Sequence, residues 1–160
     1  MYGLFNIETS ITKIESPKIC IFVALKLSVM EMDYNDFYVS LGRLYYAISK
    51  SDERIQKVEV IELQKYISEE LLNLDSSQDE FGTNNAYYTE FEFESLCDSK
   101  IPYREAYEAF VQFYEINKKQ LTKKIKQSIY KGCEQIATAN NAISANEAEL
   151  LTELKSLMSL

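Results

Sequence analysis

Two stretches of this chain place oxygen-bearing side chains at a spacing that a cation could use. In the first, Asp52 is followed by Ile55 and then Glu59; in the second, Asn140 is followed by Ile143 and Glu147. The residues upstream agree as well, since Ile48 aligns with Ile136. Asp/Asn-x-x-Ile-x-x-x-Glu has the form of the second half of an EF-hand calcium loop, with an oxygen ligand, a hydrophobic residue and a bidentate Glu. The first half of such a loop is missing. Its ligand positions fall on Ile48 and Lys50, then on Ile136 and Thr138, and the Gly of the sharp turn is replaced by Glu53 or Asn141. A hard cation needs six or more oxygens, so an ordinary EF-hand site is excluded. The chemistry left open is divalent-metal binding by Asp52 and Glu59, helped by Glu53 or Asp33.

The same residues also have an architectural reading. Ser144-x-x-Glu147 is a capping box, in which the Ser side chain takes the N3 amide and the Glu reaches back to the N-cap amide. Asn140 and Asn141 suit the left-handed geometry of a helix C-terminus. Asp52 and Glu59 favour the start of the next helix through its dipole.

Other catalytic chemistry is scarce. The 160-residue chain has no His, which excludes Ser-His-Asp and Cys-His catalysis. An enzyme would need paired carboxylates, or a Tyr or Lys in a cleft, and no spacing singles out a pair. Cys20, Cys97 and Cys133 are odd in number and far apart, as expected of reduced thiols in a cytoplasm. The net charge of −8 argues against nucleic acid and anionic membranes. The apolar stretch from Ile19 to Met30 is too short to span a bilayer, and Lys26 interrupts it.

The charge is unevenly spread. Residues 51–98 carry thirteen acids and three bases, whereas residues 118–131 carry six lysines and no acid. Two solvated faces account for this. A lysine face that receives an acidic partner is the alternative.

Helices must position the two oxygen-bearing turns. Phe37, Leu41, Leu44, Tyr45 and Ile48 form one apolar stripe, ending in the polar turn Ser49–Arg54. A second helix is expected from about Gln56 to Leu74, burying Val60, Leu63, Ile67, Leu71 and Leu74. A loop follows over Asp75–Asn85. Ala86–Cys97 alternates like a half-exposed strand and also fits a short acidic helix capped by Asn84 or Asn85.

Pro102 opens an aromatic helix carrying Tyr103, Ala106, Tyr107, Phe110, Phe113 and Tyr114, expected to be the centre of the core. A further helix from about Lys119 to Thr138 buries Leu121, Ile125, Ile129, Cys133 and Ile136. Its Gly132 implies close approach of a neighbour, and Cys133 reads as a core hydrophobe. The last helix runs from Ala145 to about Met158, burying Ala148, Leu151, Leu154 and Met158. Residues 1–33 alternate in part, and Ser16-Pro17 could also start a helix, so a small N-terminal β-hairpin and a helix are both open. The expected fold is mainly α, a compact single-domain bundle of five to seven helices, with residues 34–160 as its helical core.

The stretches Leu44 through Glu59 and Gln135 through Leu151 resemble the TerB-like family, named for tellurite resistance. That resemblance covers about Phe37–Leu74 and Leu121–Met158. It implies a small all-α bacterial protein with a pseudo-repeated helix–turn–helix, and divalent-metal binding as in some relatives. Both family glycines are replaced here, and Asn140 replaces an acid. The functional expectation is a non-enzymatic cytoplasmic helical module that binds a protein partner or a second copy of itself, within a stress response. Metal binding through Asp52 and Glu59 is the alternative.

Overall fold

The structure is a computed structural model that describes residues 31–160. The hairpin-or-helix alternatives for the N-terminal stretch fall almost entirely outside the described residues. Met32–Leu160 forms one compact unit of six α-helices, with no β-strand among the described residues.

Helix α1, Tyr34–Lys50, is the axis of the unit. Asp33 caps it, accepting from the Asn35 amide at 2.8 Å. Eleven of its seventeen residues are buried, so neighbours cover it on all but one narrow side. All five other helices of the unit touch it. The aromatic helix expected to lie at the centre is α4, Tyr103–Asn117, and it buries only Ala106, Tyr107, Phe110 and Tyr114. The centre is α1 because its side chains are apolar or small nearly all round, while α4 keeps Glu105, Glu108 and Glu115 in solvent.

Helix α2, Lys57–Glu69, is shorter than expected and gives way to a 3-10 turn at Leu71–Asn73. Leu63, Ile67 and Leu71 are buried, while Val60 and Leu74 only flank the core. The ambiguous stretch resolves as a 3-10 turn, Asn85–Tyr87, leading into α3, Tyr88–Ser99. Asn84 caps that entry, accepting from the Ala86 amide at 2.9 Å. Thr89 and Phe93 bury at helical spacing, while Tyr87 and Phe91 face solvent.

Helix α5, Lys123–Thr138, starts from the Thr122 cap, and α6, Ala145–Met158, has the expected bounds. Within α6 it is Leu150 that is buried, and Ala148 is exposed.

Two glycines set helix separations. A Cβ on Gly132 would lie 2.6 Å from the Tyr66 ring and 2.7 Å from Tyr45 Oη, the close approach expected of this residue. A Cβ on Gly42 would lie 2.6 Å from the backbone oxygen of Thr89, so α1 and α3 touch along their backbones. Cys133 is fully buried and its thiol is pushed well up by burial, as for a core hydrophobe. No described helix is long and apolar enough to cross a membrane.

Candidate functional site

The two oxygen-bearing turns join α1 to α2 and α5 to α6, and they share one backbone pattern. In the first, Ser51 N–H donates to Ile48 O and Glu53 N–H to Lys50 O; in the second, Ala139 N–H donates to Ile136 O and Asn141 N–H to Thr138 O. Glu53 and Asn141 then both take left-handed backbone, at φ 71° and 60°. These are the positions where a glycine would be free of strain. Asn tolerates this region because its short side chain bonds locally, whereas Glu has no such help.

Each turn enters its next helix through a buried glutamate at N3. Gln56 N–H donates to Glu59 Oε2 at 2.8 Å, and Ser144 N–H donates to Glu147 Oε2 at 2.7 Å. Ser144 Oγ accepts from Glu147 N–H at 3.2 Å, which completes the expected capping box. Ser144 is a usual N-cap type and Gln56 is not, which is why only the second box was visible from residue types.

The turns also touch each other. Asn140 Nδ2 donates to Glu59 Oε1 at 3.2 Å, and Asn146 Nδ2 donates to Ser51 O at 2.7 Å. Neither cross-link has a sequence signature, since its partners stand 81 and 95 residues apart. Glu59 and Glu147 are 0% and 2% exposed. Burial pushes the Glu59 carboxyl up to about 7, the Gln56 amide opposes that, and the charges of Asp52 and Glu147 add to it.

The candidate ligands divide accordingly. Both Glu59 oxygens already accept hydrogen bonds, and Asp52 Oδ1 accepts from the Arg54 amide at 3.0 Å. Glu53 is exposed, and its carbonyl accepts from Lys50 Nζ at 2.7 Å. Asp33 cannot join them. It caps the opposite end of the seventeen-residue α1, about 25 Å away along the axis. Among the described residues, no three His, Cys, Asp or Glu side chains are grouped to hold a metal ion.

Three of the open clefts elsewhere on the described surface bear charged side chains. One lies between α4 and α6 around Arg104, Tyr107 and Glu153, where Arg104 Nη1 donates to both Glu153 oxygens at 2.9 Å and Nη2 donates to Glu149 Oε1 at 2.8 Å. A second, lined by Lys123, Lys131, Lys155 and Tyr130, holds part of the lysine-rich face. Lys131 there is paired with Glu70 at 2.7 Å, and Lys155 stands over the Tyr130 ring. The third is acidic and lies beside the loop after α2.

Large apolar side chains also remain in solvent. Val58 and Ile61 on α2 and Phe91 on α3 are 43%, 60% and 53% exposed. Gln64 Nε2 joins these two helices by donating to Glu90 Oε1 at 2.7 Å. The residue pattern of α2 marks only its buried stripe, and the alternation over 86–97 puts Phe91 on one face with Thr89 and Phe93, so neither reveals these outward positions. Compared with family models, curated proteins and solved structures, the chain finds no match.

Proposed function

We propose that this protein is a non-enzymatic helical module that binds a protein partner in the cytoplasm, within a stress response of the kind the TerB-like resemblance implies. The observation that carries this reading is the outward-facing Val58, Ile61 and Phe91 on the linked helices α2 and α3. Side chains of this size gain by leaving water; among the described residues Val58 and Ile61 take no part in the core, and Phe91 meets the Tyr88 ring of its own helix edge-on. The strong negative charge of the surrounding stretch keeps such a surface soluble until a partner covers it.

The test is capture from a lysate of the source organism with the wild-type chain and with an Ile61→Asp/Phe91→Asp variant of unchanged helix content. A protein retained by the wild type and lost by the variant supports the reading. Equal retention, or nothing above background, contradicts it.

A divalent-cation role for Asp52 and Glu59 is the second reading. The charge of Asp52 acting on Glu59 favours it. The hydrogen bonds that already occupy the oxygens of Glu59 weigh against it.

A further inference from the structure

Helix α2 has a different neighbour on each flank. On one side Gln64 Nε2 donates to Glu90 Oε1 of α3 at 2.7 Å. On the other, Tyr66 Oη donates to Ser128 O of α5 at 2.5 Å, and Lys131 Nζ of α5 donates to Glu70 Oε1 at the end of α2 at 2.7 Å. Residues two apart on a helix face away from each other, so Gln64 and Tyr66 mark opposite flanks. The solvent-facing ridge between them carries Val58 and Ile61, 43% and 60% exposed and one turn apart. Helices α3, α2 and α5 thus lie side by side, with the apolar pair on the middle one.

The outer two carry opposite charge. Phe91, Glu94 and Asp98 share one exposed stripe of α3. On α5, Lys123, Lys124 and Lys131 are exposed. Neither Glu94 nor Lys124 has an ion-pair partner among the described residues. The surface runs from acidic through apolar to basic, and half a turn about its centre sets each end on its complement. That is the condition for a two-fold interface, in which one patch meets itself and every contact occurs twice. A purely basic partner would leave the lysine flank unmatched, whereas a second copy matches both flanks. Repulsion between two chains of net charge −8 is screened beyond about 8 Å in physiological salt, so the local pairing decides.

We propose that this face pairs with the same face of a second copy, in a closed two-fold dimer with Val58 and Ile61 at its centre and α3 of each chain on α5 of the other. The proposal rests on the partner-binding reading above and names the partner. The test is sedimentation equilibrium of the full chain over a range of concentrations, at low and at high salt. The expected result is a monomer–dimer equilibrium that stops at the dimer and weakens as salt rises.

Ile61→Asp leaves only monomer. Glu94→Lys and Lys124→Glu each weaken the dimer by roughly tenfold, because the two-fold axis counts each change twice. The double variant Glu94→Lys/Lys124→Glu regains most of that loss, since opposite charges again meet across the interface. All three positions are exposed, so none of these changes threatens the fold. Association beyond the dimer, a dimer indifferent to Ile61→Asp, or a double variant as weak as the two single changes added together each overturns the proposal. A wild-type chain that stays monomeric also overturns it, and leaves the partner-binding reading to capture of a different protein through Ile61 and Phe91.

Discussion

The side-chain amide of Asn140 donates to the buried carboxylate of Glu59, and so one oxygen-bearing turn is fastened to the other. The second Glu59 oxygen holds the first turn of α2. This carboxylate therefore serves a helix start and a long-range cross-link together. Asn140→Ala leaves Oε1 without a donor in a buried setting, and should cost about 1–2 kcal/mol in urea unfolding. A double-mutant cycle with Glu59→Ala measures the coupling. A value near zero would mean that the cross-link carries no stability.

The raised carboxyl of Glu59 sets a pH dependence. In the unfolded chain the group loses its proton near 4.5, and in the folded chain it keeps it to about 7. Between those values the folded state binds more protons, so this group's contribution to stability falls as pH rises from about 4.5 to about 7 and is flat above. The urea midpoint should drop across that window in the wild type. Glu59→Gln should flatten the slope, and an unchanged slope in that variant would assign it to other groups.

Close helix approach fixes the cost at two glycines. Gly132→Ala drives a methyl into Tyr66 and Tyr45, and the Tyr66 hydroxyl is tied to Ser128 O at 2.5 Å. Gly42→Ala drives one into the backbone of α3, where no side chain can swing aside. Each change should destabilise by about 1–3 kcal/mol, with Gly42→Ala at the upper end. Chemical denaturation of the two variants checks the order.

Strain at Glu53 offers the opposite change. Its φ of 71° is left-handed, and its side chain is exposed. Glu53→Gly should stabilise the fold by about 0.5–1 kcal/mol, because relief of the left-handed strain exceeds the entropy lost by glycine. Asn141→Gly should gain less, since Asn already tolerates that backbone. Thermal unfolding of both variants makes the comparison.

Much of the helix plan was legible because it rests on local chemistry. Ser144 and Glu147 marked the start of α6, Pro102 marked α4, and the Phe37-to-Ile48 stripe marked α1. What misled was pattern without context. The alternation of Tyr87, Thr89, Phe91 and Phe93 suits a strand, yet Thr89 and Phe93 alone face the core, one helical turn apart. Aromatic density suggested α4 as the core, whereas coverage by neighbours makes it α1. At the candidate site the Ser144/Glu147 box could be read from spacing, and Glu59 only as an acid at a helix start. The links of Asn140 to Glu59 and of Asn146 to Ser51 could not, because they join residues brought together only by packing.

The central claim concerns what Asp52 and Glu59 do. If the paired turns act as a clasp between helices, millimolar calcium or manganese should leave the melting temperature of the wild-type chain unchanged. An Asp52→Ala/Glu59→Ala variant should then melt lower than the wild type to the same extent with or without the ions. A ligand that binds only the folded state raises its melting temperature. A rise in the wild type that disappears in the double variant would contradict the account and establish these residues as cation ligands.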